Sequence, residues 1–234
     1  ESVRYTGKLS EEEREQLSCF DSIIAHTPAM QELLISSGIS ADRIRLLQLF
    51  DYLATPPPPS PLNYQEGAPR EVCFAGNLGK SLFLPELQQI VGANLHVLLY
   101  GVGLSEEVEL SDELKFKGKF APDDLTLLRG HYGLVWDGEA ITTCTGRIGE
   151  YLKINAPHKA SLYIAAGIPL IVWRHSAIAP YVLEHQLGIA VDSLLELPER
   201  LASIDIAQYT RYREAVQVEQ MKITQGLHLR NIIS

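Results

Sequence analysis

The sequence predicts an α/β protein: a Rossmann-like parallel-sheet domain preceded by the tail of a second, truncated Rossmann-like domain. Three observations carry this expectation. From residue 71 onward, short runs of Val, Ile, Leu and Phe alternate with helix-like stretches, the pattern of parallel strands covered on both faces by crossover helices. Before that point only one β-α-β unit is legible, too little to close a core of its own. Between the two lies TPPPPSPLNYQEGAPR (55–70), whose consecutive prolines favour an extended polyproline segment and carry no amide donors for a sheet. The expected organisation is residues 1–54 as the remnant of an N-terminal domain, 55–70 as a Pro-rich linker and 71–234 as a C-terminal domain.

The elements follow in order. LSEEEREQLSCF reads as a helix with a solvated face, its acidic residues early and Ser10 at its N-cap. DSIIAHT (21–27) is a short apolar run between polar residues, a buried strand. TPAMQELLISSG (27–38) is a helix with Thr27 as cap, Pro28 at its first position and Gly38 just past its end. IRLLQLFDYL (44–53) reads as a strand followed by a turn. After the linker, EVCFAG is a strand, SLFLPELQQIV a helix and NLHVLLYGVG a strand. LKFKGKF is a short strand, APDDLTLLRGHY a helix and GLVWDG a strand. A long polar connection then leads to a helix over PHKASLYIAAG, strand PLIVWR, helix SAIAPYVLEHQLG and strand IAVDSL. Helices over LPERLASI and 207–224 close the chain.

Composition bounds the function. Hydrophobic residues at 46% and charged residues at 21% are those of an ordinary globular protein. The net charge of −9 excludes a general nucleic-acid binder, which needs a basic footprint, yet leaves a local anion pocket open. Cys19, Cys73 and Cys144 are odd in number and unpaired in spacing, which fits a reducing cytoplasm and argues against a zinc site or disulfide framework. No signal peptide and no long apolar span is present. The chain opens on ESVRY without an initiator methionine, as expected of a fragment or processed product. Peripheral membrane association and homo-oligomer formation are left open.

In open α/β sheets ligands bind at the carboxyl ends of the strands, and several polar features fall there. FAGNLGKS (74–81) places two glycines and Lys80 after the first strand of the larger domain, letting backbone amides and a positive charge approach an anion; a plain Gly-rich turn is the alternative. GKFAPDDL (118–125) puts Lys119 and Phe120 at a strand end, while Asp123 and Asp124 read as first-turn acids of a helix. WDGEAITTCTGRIGEYLKIN (136–155) is longer than a connection needs to be and brings Tyr151 and Asn155 to the following helix, as binding loops do. The sharpest signal is INAPHKASLYIAAGIP (154–169). A helix N-terminus already exposes free amides and a positive dipole, so Lys159 beside His158 is unfavourable there unless an anion compensates. A phosphate is the natural candidate; a lysine snorkelling to solvent is the alternative.

PHKASLYIAAGIPLIV is similar to the P-x-K-x-x-E-Y-x-A-x-G-x-P-V-I segment of GT-B glycosyltransferases, in their C-terminal nucleotide-binding domain. The run from GLVWDG to IAPYV resembles one branch most closely: bacterial galactofuranosyltransferases of O-antigen synthesis and the related glucosyltransferases that modify streptococcal adhesins. With FAGNLGK, GKFAPDDL and LGIAVDSL in order, the resemblance covers residues 21–204. It implies transfer of a hexose, galactofuranose among the candidates, from a UDP-sugar donor to a glycan or glycoprotein acceptor in surface polysaccharide synthesis. The UDP-sugar is then a substrate, no cofactor is implied, and without a DxD motif the transfer is expected to be metal-independent. Lys80 would face the diphosphate, and Lys119 and Phe120 would lie near the base. Tyr151, Asn155, His158, Lys159, Ala160 and Ser161 would line the nucleotide site, with Lys159 on phosphate. Leu162 stands where the family's ribose-holding glutamate belongs, leaving Ser161 or Asn155 as substitutes. Residues 1–54 would match the end of an acceptor-side domain whose missing part carries the catalytic base. The rivals are a non-catalytic nucleotide-sugar-binding module and a GT-B-type sugar-nucleotide epimerase.

Overall fold

The structure is a computed structural model that describes residues 8–57 and 64–233. The middle of the Pro-rich linker, 58–63, and the chain ends at 1–7 and 234 lie outside the described residues.

The first described helix, α1 (Glu11–Ser18), is set by a capping box in which Ser10 and Glu13 satisfy each other's backbone amides. Strand β1 (Ile23–Ala25), helix α2 (Pro28–Ser36) and strand β2 (Ile44–Leu46) form one parallel β-α-β unit. Thr27 caps α2 by accepting from the Met30 amide, and Gly38 takes the left-handed turn after it at φ +93°. Ile23, Ala25, Leu34, Ile39 and Ile44 make a small separate core.

The larger sheet has six parallel strands in the order β5-β4-β3-β6-β7-β8. They are β3 (Arg70–Asn77), β4 (Leu95–Val102), β5 (Leu114–Phe116), β6 (Tyr132–Val135), β7 (Leu170–Trp173) and β8 (Gly188–Val191). Both faces are buried, and the two-residue period of a strand separates them. Val72, Phe74, Leu134 and Ile171 enter one core, while Cys73, Ala75, Val135 and Val172 enter the other. The long polar connection contains helix α3 (Gly146–Tyr151), followed by α4 (His158–Ala165) and α5 (Ala179–Glu184). Helices α6 (Leu197–Ala202), α7 (Ile206–Thr224) and α8 (Leu227–Ile233) complete the described chain.

Two expected helices are corrected. SLFLPELQQIV forms one 3₁₀ segment, Leu84–Gln89, and a second, Leu78–Lys80, precedes it. Pro85 supplies no amide, and bonds three residues long, such as Glu86 N to Phe83 O at 3.0 Å, turn Leu84 and Leu87 onto the same sheet face. APDDLTLLRGHY is a single 3₁₀ turn, Leu125–Leu127, because Asp124 accepts from both the amide and the hydroxyl of Thr126 and closes the turn locally. Asp124 is therefore a cap, as expected, but of a shorter element.

The last helices return to the N-terminal unit. The Asp51 carboxylate accepts the His228 and Leu229 amides at 3.1 and 2.8 Å, capping α8, and the Tyr52 amide donates to Ile223 O at 3.0 Å. Beneath this junction Glu219 is only 2% exposed yet accepts from Tyr181 Oη at 2.8 Å and Lys222 Nζ at 2.8 Å, with His228 Nε2 at 2.7 Å. Burial alone would raise its pKa, but the bonds from His228, Lys222 and Tyr181 outweigh it and hold the carboxyl at about 2. A depressed carboxyl stabilises the fold above its ordinary value of 4.5 and loses that contribution as pH falls toward about 2. Acid titration of the urea midpoint is expected to show a loss on the order of 3 kcal/mol across that window. Glu219→Gln is expected to be less stable at neutral pH and to lack that part of the acid dependence.

Candidate functional site

After β3 the chain builds β4 and β5 on one side, then crosses back to place β6 on the other. The β3/β6 boundary is thus the topological switch point, where connections leave in opposite directions and open a crevice. The ladder records this. β3 pairs with β4 from Arg70↔Leu95 to Asn77↔Val102, but with β6 only at Val72↔Tyr132 and Cys73↔Gly133. Beyond Cys73 the backbone groups facing the gap need other partners.

Helix α4 supplies them. The Tyr163 hydroxyl accepts the Ala75 amide at 2.8 Å and donates to Leu134 O at 3.2 Å, bridging β3 to β6 where their ladder ends. Its ring needs Gly133, since a Cβ there would stand 2.2 Å from the ring. Burial pushes the Tyr163 phenol well above its ordinary 10, so it keeps the proton that Leu134 accepts. One turn earlier on the same helix face, Lys159 reaches across the crevice mouth. Its Nζ lies 2.5 Å from Asp137 Oδ1, 3.5 Å from Trp136 O and 4.3 Å from the Phe74 ring centroid. Its stem packs on Gly76, where a Cβ would come within 3.2 Å of Cε.

Lys159 therefore has a protein anion, Asp137, where the sequence suggested that an external one was needed. Pro157 occupies the N-cap of α4 and no side chain caps the helix. The helix start keeps its positive end toward the crevice mouth while the lysine charge is balanced.

The connection 136–155 is tied down. Trp136 Nε1 donates to Ala140 O at 3.0 Å, and the Ile141 amide meets Glu86 Oε2 at 3.3 Å. Ile141 O accepts from the Leu194 amide at 2.8 Å, and Gly138 and Gly149 pass so near backbone that a Cβ would lie 2.5 Å or less from it. At its far end the N-terminal unit docks. Thr27 Oγ1 donates to Ile154 O, and His26 Nδ1 lies 2.9 Å from Asn155 Oδ1. Phe50 stacks on His158 at 4.1 Å and receives the edge of His26 at 4.4 Å. Desolvation, then the neighbouring His26, lowers the His158 pKa below 6.5.

Of the residues expected to line the site, Lys159 is in the crevice mouth and Lys80 is exposed beyond the carboxyl end of β3. Asn155 and His158 border the start of α4 but contact His26 and Phe50. Ala160 and Ser161 are fully buried, Ala160 N already donates to Pro157 O at 3.0 Å, and Ser161 Oγ has no hydrogen-bond partner among the described residues. Tyr151 faces an apolar cavity of about 340 Å³ under α1, shared with His26 and Met30. Lys119 is exposed and Phe120 meets Tyr100 edge-on at 6.2 Å, both following β5 at the outer edge of the sheet. Asp137, His26 and Phe50 were not singled out in the sequence. Asp137 and His26 each immediately follow or closely follow a strand, the position already used to select Lys80 and Lys119. Among the described residues no cluster of His, Cys, Asp and Glu is arranged to hold a metal ion, and no helix is long and apolar enough to cross a membrane.

A family model described as the glucosyltransferase 3-like C-terminal domain matches residues 72–234. The beta-1,6-galactofuranosyltransferase WbbI of Escherichia coli (strain K12) is 31% identical over 223 residues, covering 93% of this chain and 64% of that protein. Glucosyltransferase 3 of Streptococcus gordonii is 24% identical over 215 residues, covering 91% of this chain and 60% of that protein. The chain thus spans less than two thirds of these relatives. Among solved structures, Anabaena Alr3699/HepE, crystallised with UDP and glucose, aligns with a TM-score of 0.56 at 15% identity over 98% of this chain and 67% of that one. That likeness shows a shared fold.

Tyr163→Phe leaves the Ala75 amide and Leu134 carbonyl unpaired in the core and is expected to cost about 2 kcal/mol in urea unfolding. Histidine NMR titration is expected to place His158 below 6.5, with Phe50→Ala moving it upward.

Proposed function

The chain belongs to the glucosyltransferase 3-like C-terminal-domain family and has the GT-B fold, and from that premise we propose that it is the donor-binding part of a UDP-sugar-dependent hexosyltransferase. The observation that carries the reading is the start of α4, uncapped by any side chain, with Lys159 lying across the β3/β6 switch point. Free helix amides and an adjacent ammonium suit a diphosphate. Relatives named as a galactofuranosyltransferase and a glucosyltransferase support a hexose as the group transferred.

In this reading an acceptor hydroxyl of a glycan or glycoprotein attacks the anomeric carbon of the donor. The carbon–oxygen bond to the nucleoside diphosphate breaks, and negative charge gathers on the departing phosphate. Lys159 and the α4 amides stabilise that charge from fixed positions, the electrostatic route open to a preorganised site. Lys80, on the rim, adds a second cation. Phe120 and Lys119 are assigned to the base side of the nucleotide. Asn155 is assigned to the ribose, because Ser161 is fully buried and Leu162 packs into the core. His158, at the first position of α4, forms part of the surrounding wall, while Ala160 is buried behind it and Tyr151 faces the cavity under α1. These cations make the transfer metal-independent in this proposal.

Calorimetric titration with UDP in EDTA-containing buffer tests the assignment. The wild-type chain is expected to bind, and Lys159→Ala to weaken binding at least about tenfold, the worth of one charge-assisted hydrogen bond. An unchanged affinity would remove Lys159 from the phosphate site.

A further inference from the structure

Asp137 has no role in the reading above, and its geometry supplies one. We infer that Asp137 is a specificity-determining counter-ion: it holds Lys159 in the ligand-free protein and yields the ammonium to the nucleotide's diphosphate. This rests on the donor-binding reading of the same crevice.

The two partners are held very differently. Lys159 is fixed along its stem by Gly76, with Trp136 O at 3.5 Å and the Phe74 ring centroid at 4.3 Å from its ammonium. The carboxylate of Asp137, by contrast, has Lys159 as its one hydrogen-bond partner among the described residues. Lys159 is the anchored half of the pair and Asp137 the half free to leave.

Their surroundings make the exchange matter. The side chains are 19% and 23% exposed, so the charges are partly desolvated and act more strongly than a surface pair. A phosphate oxygen that reaches Lys159 must come close to the Asp137 carboxylate 2.5 Å from the same nitrogen. Two anions then compete for one cation and repel each other. The ligand must carry enough negative charge to win the lysine. A nucleoside diphosphate does; a neutral nucleoside or free sugar leaves the Lys159–Asp137 pair intact. Asp137 thus tunes the crevice toward diphosphates and weakens the hold on the leaving nucleotide, which favours its release.

The test compares UDP and uridine binding to the wild-type chain, Asp137→Asn and Asp137→Ser, with UDP titrated by calorimetry and uridine measured by competition. Both substitutions are expected to tighten UDP binding about tenfold while uridine affinity stays unchanged. The serine variant keeps the test alive if the asparagine variant fails to fold. UDP affinity that is unchanged or weaker in the variants overturns the inference, as does a parallel change for uridine, which would show that Asp137 contacts the nucleoside or shapes the pocket. Absence of UDP binding to the wild-type chain contradicts the donor-binding reading itself and takes this inference with it.

Discussion

The sheet must divide where its connections change direction, and one helix closes the division. At β3 and β6 the ladder stops after Cys73↔Gly133, and the hydrogen-bonding groups of Ala75 and Leu134 would be left unpaired in the core. Tyr163 satisfies both with a single hydroxyl. Gly133 exists there to admit its ring, and burial keeps the phenol protonated. Because Tyr163 fixes the position of α4, it also fixes Lys159 one turn away. The crevice mouth and the staple that holds the sheet together are built from the same helix face.

The N-terminal unit depends on that helix as well. Its contacts fall on the residues that lead into α4: Thr27 on Ile154, His26 on Asn155 and Phe50 on His158. The opposite end is fastened through Asp51 to α8. The β-α-β unit has few buried side chains of its own, so these two attachments carry much of its stability. A change in the charge or position of α4 is therefore felt in the wall contributed by His26 and Phe50.

Much of this was legible in the sequence because strands and caps are local. The strand EVCFAG, the cap at Thr27 and the turn at Gly38 follow from periodicity and backbone chemistry alone. The helix expected over SLFLPELQQIV was not recovered, because packing of Leu84 and Leu87 on one face favoured tighter turns than apolar content predicts. Lys159 was recognised as a cation needing an anion, but its protein partner is 22 residues away in sequence, and no local pattern links the two. His26 and Phe50 escaped for the same reason. Their roles arise from docking across the chain, and each on its own looks like an ordinary residue in a short β-α-β unit. Tyr163 was visible as part of a family motif, while its function as a bridge between diverging strands required the register.

The central claim is that α4 and the ends of β3 and β6 form the nucleotide site. Hydrogen–deuterium exchange with and without UDP tests it most directly. The account predicts slowed exchange over 157–163, 75–80 and 136–138, with little change at the opposite end of the sheet near Tyr64 and Ile206. Binding that leaves those three segments unchanged, or protects the Tyr64 and Ile206 side instead, would contradict it.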